Sequence, residues 1–256
     1  MILRRLSQSL KDQNWTAIVI EFVLLVVGVF LGIQVANWNE TQQEHKREAE
    51  FIARLDRDFQ KIDARLASNI SRWELKITAT LRVLADLDAF QKTGRWPRSK
   101  AEILADLSDT FSNRIPAPRS ATYIEMLSAG QLGLIRDTEL RDALLEYDAQ
   151  VGYSMTSFDI LVKRVEPFMA KVVTHLEYDQ TKTHSNMPTE NNPVDQAWID
   201  VDLERLAADP EVKIAMKMYA GAARNQLFVA KVQQSKAAAA MALLDPKASN
   251  IESKQP

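Results

Sequence analysis

WTAIVIEFVLLVVGVFLGIQVANW, residues 15–38, decides the fold. From Thr16 to Ala36 the only ionisable side chain is Glu21, and most of the rest is Val, Ile, Leu, Phe or Ala. A helix between the two tryptophans rises about 1.5 Å per residue, roughly 34 Å in all, enough to cross a hydrocarbon core ~30 Å thick. Trp15 and Trp38 fall where amphipathic rings settle at the two headgroup layers, with Asn37, Asn39 and Glu40 beside the second. The stretch therefore reads as a transmembrane helix in contact with the lipid bilayer. Its apolar run exceeds the roughly 7–15 residues of a signal-peptide core, and a cut after Ala36 would put Gln34 where a small residue is needed. A retained anchor is the expectation. Arg4, Arg5 and Lys11 before the span outnumber Lys46 and Arg47 after it. That bias predicts residues 1–14 as a cytoplasmic N-terminus and the rest of the chain outside the cytoplasm.

Working outward, neither glycine nor proline occurs from Ile33 to Thr93. Ile52, Leu55, Phe59, Ile62, Leu66, Ile70, Trp73, Ile77, Leu81 and Leu84 recur in steps of three or four, the stripe of an amphipathic helix. The membrane helix is expected to continue into this long helix and to stop near Gly94. Such a stripe needs partners, and Trp73, Leu81 and Leu84 are expected to pack on the helices after Asp137. Ser99 with Glu102 has capping-box spacing and opens a helix through Phe111, which Ile115-Pro116-Ala117-Pro118 ends. Thr122 with Glu125 repeats the spacing, and Gly130 is a natural stop. Asp137 starts a helix striped by Leu140, Leu144, Tyr147, Val151, Met155, Phe158, Val162 and Val165, with a kink expected at Pro167 and fading after Leu176. Residues 179–193 read as a polar loop. Asp209-Pro210 starts a last helix, rich in Ala, Met and Leu, that Asp245-Pro246 ends. With no alternating strand pattern, the fold class is all-α. An antiparallel bundle of three to five helices is expected over residues 39–245, with a disordered tail over 246–256.

Composition narrows the function. Hydrophobic residues make up 46% of the 256, which argues for a folded domain after the span. Without Arg4, Arg5, Lys11, Asp12 and Glu21, the totals of 32 basic and 34 acidic residues fall to 29 and 32. That leaves no basic excess for phosphates, and no nucleic-acid partner is expected. There is no cysteine, hence no disulfide, thiolate catalysis or cysteine-bound metal.

Few residues suggest chemistry. Glu21 is a carboxyl inside a bilayer, where such groups face partner helices or ion paths. Gly28-Val29-Phe30-Leu31-Gly32 is a GxxxG, which lets two helix backbones approach closely. Glu21, Leu25, Gly28, Gly32 and Val35 share one helical face, so a homo-oligomer through the membrane helix is expected there. His175, Glu177, Asp179 and His184 could be taken for a metal cluster but lack the spacing of a helical site. Asn39-Glu40-Thr41 and Asn69-Ile70-Ser71 match the glycosylation sequon, a short and weak signal. With no nucleophile–base constellation, phosphate loop or dinucleotide fingerprint in the sequence, neither enzyme activity nor a cofactor is expected.

Glu21 with the apolar run, then Gly28, Gln34, Asn37, Trp38, Asn39 and Glu40, and a charged helix with Phe51, Leu55 and Asp58, resembles a group of bacterial single-pass membrane proteins known as a domain of unknown function. Tyr123, Leu127, Gly130, Leu132, Leu134, Ile135, Leu140, Arg141, Leu144 and Tyr147 resemble the group's second block, so the likeness covers residues 20 to 150. Ile20 and Gly32 stand where that group often has glycine and alanine. The resemblance implies a bacterial inner-membrane anchor with a helical domain, which the charge bias would place in the periplasm, and it carries no activity. The expected function is a non-enzymatic envelope scaffold that binds an envelope partner. The alternative is a sensory subunit acting through a partner.

Overall fold

A computed structural model describes residues 15–179 and 198–252, with side chains from Val19 to Asp179 and from Trp198 to Asp245. The expected cytoplasmic segment 1–14, most of the expected loop (with His184) and the last four residues of the expected tail lie outside the described residues. The chain forms two compact units, residues 1–51 and 52–256. The fold is all-α. Six helices carry most of the described residues: α1 (Trp15–Thr93), α2 (Lys100–Phe111), α3 (Ala121–Ser128), α4 (Thr138–Val173), α5 (Leu203–Ala208) and α6 (Pro210–Glu252).

In the first unit, α1 is one uninterrupted helix with every side chain from Val19 to Arg47 exposed. The second unit holds the core. Across it the buried face of α1 keeps a strict alternation of three and four residues: Ile52, Leu55, Phe59, Ile62, Leu66, Asn69, Trp73, Lys76, Thr80, Val83 and Leu87. Helix α6 does the same through Val212, Met216, Tyr219, Ala223, Gln226, Ala230, Gln233, Ala237, Ala240 and Leu244. On α4 the face runs through Leu140, Leu144, Tyr147, Val151, Ser154, Leu161, Val165 and Val172. A mean step of about 3.5 residues is what lets long helices stay in register along a common seam.

This spacing corrects the expected stripe. Beyond Leu66 the apolar residues Ile70, Ile77, Leu81 and Leu84 drift off the seam, and polar Asn69, Lys76 and Thr80 occupy it. Trp73 is buried at 4% exposure as expected, but Leu81 is 40% exposed, and Leu84 is half-buried. Met155, expected on the α4 stripe, is likewise exposed.

Contacts between elements fix the directions. Helix α2, the following extended segment and α3 run antiparallel to α1, since Arg82 meets Asp106, Thr80 meets Thr110, Asn69 meets Ile115 and Asp58 meets Ser120. Helices α4 and α6 are antiparallel, joined by Lys236 to Glu146 and Lys171 to Glu211, both at 2.7 Å. Lys231 on α6 reaches Glu74 on α1 at 2.9 Å. The unit is thus an up-down bundle with an apolar centre around Leu87, Ile103, Leu107, Leu161, Val165 and Met216.

Several boundaries follow local chemistry. Gly94 and Gly130 take φ of +69° and +66°, the left-handed geometry that ends a helix. Ser99 and Glu102 form a complete capping box on α2, and Asp137 caps α4 through the Leu140 N–H. Helix α3 differs from expectation. Its cap is Ser120, whose Oγ accepts from the Tyr123 N–H at 3.1 Å, and Thr122 lies inside the first turn. Two short strands, β1 (Leu176–Tyr178) and β2 (Trp198–Val201), pair antiparallel where no strand was expected. They are too short to show an alternation. Helix α6 runs through Asp245-Pro246 to Glu252, past the expected stop. Proline removes one backbone hydrogen bond there, while the alanine-rich run before it favours helix.

Candidate functional site

The predicted membrane residues sit on one helix. Leu25, Gly28, Gly32 and Val35 are exposed together with Glu21, and a Cβ built on Gly28 or Gly32 would meet no atom within 4 Å. Among the described residues of the first unit, nothing covers that face. Asn37, Trp38, Asn39 and Glu40 are exposed one turn further on, where the Thr41 hydroxyl donates to the Asn37 carbonyl at 2.9 Å. Trp15 begins the helix, and its side chain lies outside the described ones.

The second unit concentrates polar groups around the extended segment 112–119. Pro116 and Pro118 keep it out of a helix, so its carbonyls have no regular ladder, and a buried carbonyl without a donor is costly. Side chains from the three long helices supply the donors. Lys76 Nζ reaches the Ser112 carbonyl at 3.0 Å and Asn113 Oδ1 at 2.8 Å. Asn69 Nδ2 donates to the Ile115 carbonyl at 3.0 Å, and Gln233 Nε2 to the Ala117 carbonyl at 3.0 Å. The Tyr147 hydroxyl donates to the Pro118 carbonyl at 2.8 Å. Asn69, Lys76, Tyr147 and Gln233 therefore form one device that clamps a non-helical strap inside a helical bundle. Thr80 bonds instead to Thr110 on α2, and Gln226 to Ser157 on α4.

Lys76 is the exceptional member. It is 2% exposed, faces no carboxylate in those contacts, and lies 5.3 Å from the ring centres of both Trp73 and Tyr219. Burial pushes its ammonium down to about 7. Burial also pushes the Tyr147 hydroxyl up to about 12, against the lowering effect of Gln233. Arg114 on the strap is half-buried, with its Nε lacking a partner. Burial lowers its pKa, helped by the like charges of Arg72 and Arg65.

Ionic clamps flank the strap. Arg98 pairs with Asp86 and, at 2.7 Å, with Asp106, which also accepts from Arg82 Nε at 2.9 Å. Burial would raise the Asp106 carboxyl, but hydrogen bonds from the two guanidinium groups hold it below its ordinary value. At the other end Asp58 accepts from the Ser120 hydroxyl at 2.8 Å and the Thr122 N–H at 2.9 Å. Burial opposes its charge, yet these bonds and Lys61 keep its pKa lowered. A carboxylate at a helix N-terminus also meets the positive end of the helix dipole.

His175 follows α4, and its Nε2 lies 3.0 Å from Asp209 Oδ2, which fixes the start of α6. Asp209 is lowered by His175 and by the Glu211 N–H. Among the described residues, no three or more His, Asp or Glu side chains are grouped to hold a metal.

No family model, curated protein or solved structure matches this chain.

That residues 19–36 form an exposed apolar helix was legible in the sequence, whereas the strap clamp was missed. The signal was present. Continuing the strict 3–4 alternation from Ile52 leads to Asn69, Lys76 and Thr80, polar residues at core positions.

Proposed function

We propose that this chain is a single-pass membrane protein of a bacterial envelope whose helical bundle works as a non-enzymatic scaffold by binding a partner. One observation carries the reading. From Val19 onward, α1 has a mean hydropathy of 2.5 over its apolar window, and none of that window is buried by the protein. An apolar surface of that length left uncovered in water is unfavourable, and a bilayer covers it at full width. The polar interior supports binding over chemistry, because its donors are engaged with the strap. Arg4, Arg5 and Lys11 direct the N-terminus inward and the bundle to the periplasm.

Two measurements test this. The intact chain should stay with membranes through an alkaline carbonate wash, at the mass of an uncleaved polypeptide. A reporter active only in the periplasm, fused after Leu244, should be active, and one active only in the cytoplasm should be silent. Release by carbonate would remove the anchor, and the opposite reporter pattern would reverse the topology.

A further inference from the structure

Helices α4 and α6 leave a groove of about 430 Å³ on their outer side. Exposed Tyr153 and Ile160 on α4 and Met218 on α6 wall it. Gly221 opens its middle, since a Cβ there would meet no atom within 4 Å. Contacts between Gln226 and Ser157 and between Lys171 and Glu211 set the register of the two helices. That register puts Arg164 level with Lys217, and Ile160 level with Gly221. The groove thus has two cations at one end and a mainly apolar run leading away from them, with Thr156, Ser157 and Asn225 as its polar members.

Those cations stand apart from their neighbours. Lys163 pairs with Asp159 at 2.7 Å, Lys171 with Glu211 at 2.7 Å, and Lys213 with Asp88. Neither Arg164 nor Lys217 makes an ion pair or hydrogen bond among the described residues. Lys217 feels Asp88 only through space, and that carboxylate is already bonded to Lys213. Glu166 follows two positions after Arg164, which places it on another face of α4. Unpaired positive charge beside exposed apolar side chains complements a molecule with an anionic head and one apolar chain. From Arg164 to Tyr153 the helix rises about 16 Å, the length of an extended chain of about a dozen carbons. The volume lies in the lower part of the ~300–1,000 Å³ range of small-molecule sites, which favours one chain over two.

We propose that this groove binds a long-chain carboxylate, its head between Arg164 and Lys217 and its chain along Ile160, Gly221 and Met218 toward Tyr153. The guanidinium fork suits a carboxylate head through paired hydrogen bonds. The groove lies wholly within the second unit, so this binding and the membrane anchorage fail or hold independently.

The test uses the full chain held in lipid-free peptide discs and dodecanoate as the probe, followed by native mass spectrometry and equilibrium dialysis. Dodecanol and dodecyltrimethylammonium carry the same chain with a neutral and a cationic head. The expected result is one dodecanoate per chain, bound more tightly than either control. Arg164→Ala with Lys217→Ala should weaken dodecanoate by about tenfold or more, while leaving dodecanol unchanged. Gly221→Trp should fill the groove and abolish both. Ile160→Glu, at a position already exposed, should have the same effect if the tryptophan variant fails to fold. Equal binding of dodecanoate and dodecyltrimethylammonium would overturn the proposal, as would dodecanoate binding untouched by all these variants. A wild-type dimer that Gly221→Trp separates, without dodecanoate binding, would also overturn it and give the groove to a second copy.

Discussion

At position 76 a lysine is enclosed by two neutral acceptors and two aromatic rings, and this has a measurable consequence. Its ammonium titrates near 7 in the folded chain against 10.5 in the unfolded one. Between those values the unfolded state holds more protons, so stability rises with pH. The cost of burying the charge is absent above the unfolded value and reaches its full size as pH falls to 7. At about 1.4 kcal/mol for each pH unit between the two values, the full effect is on the order of a few kcal/mol. Ordinary carboxylates are already ionised in this window, and the raised Tyr123, Tyr147 and Tyr219 act only from their unfolded value of 10.0 upward. Urea unfolding should therefore show stability climbing from pH 7 to 9, and Lys76→Met should flatten the climb. An unchanged slope in that variant would show that the lysine is hydrated. Neighbouring positions separate the true seam from the expected one. Trp73→Ala should cost about 3–5 kcal/mol as a core truncation, and Leu81→Ala less than about 0.5 kcal/mol as a surface change. Comparable losses at both positions would mean that the seam follows Leu81 after all.

Among the elements, helix ends were the most legible in the sequence. Ser99 with Glu102, Gly94, Gly130, Asp137 and Asp209-Pro210 each act within a turn of their own position, so local sequence suffices to read them. Thr122 misled because Ser120, two residues earlier, offers the same hydroxyl at the right place, and the choice is fixed by Asp58 from a distant part of the chain. The polar seam was hidden for a related reason. Asn69, Lys76 and Gln233 are buried to satisfy carbonyls of a strap far away in sequence, and periodicity read from apolar residues alone passes over them. The apolar N-terminal stretch of α1 poses the opposite case, since its composition is unambiguous and no described residue buries it. For the proposed homotypic seam of Glu21, Leu25, Gly28, Gly32 and Val35, the open space at both glycines allows close backbone approach. Replacing Gly28 and Gly32 by Ile should reduce association of the isolated span in a bacterial membrane two-hybrid assay. The same change at Leu24 and Leu31 should not. Equal signals from wild type and both variants would leave Glu21 without a protein partner.

For the whole molecule, the division at Phe51 and Ile52 makes a prediction about independence. Residues 52–256 form a compact unit whose buried side chains come from all six helices. Its polar interior is largely partnered, and ion pairs tie α1 to α6 and α4 to α6 within it. The apolar surface that resists water is concentrated on the other side of the division, from Val19 to Val35. A fragment of residues 52–256 should therefore express in the soluble fraction without detergent. It should give the circular dichroism of a helical protein and unfold in a single cooperative transition. The full chain should need detergent or a disc to stay dispersed. The fragment keeps exposed Tyr153, Ile160, Ile214, Met218 and Phe228. If the α4–α6 groove holds a carboxylate-headed chain, dodecanoate should raise the melting temperature of the fragment, since a ligand that binds only the folded state stabilises it. A fragment that aggregates or melts without cooperativity would show that the bundle needs the preceding helix or the membrane to complete its fold. In that case the apolar patches on α4 and α6 would be the first surfaces to test for that contact.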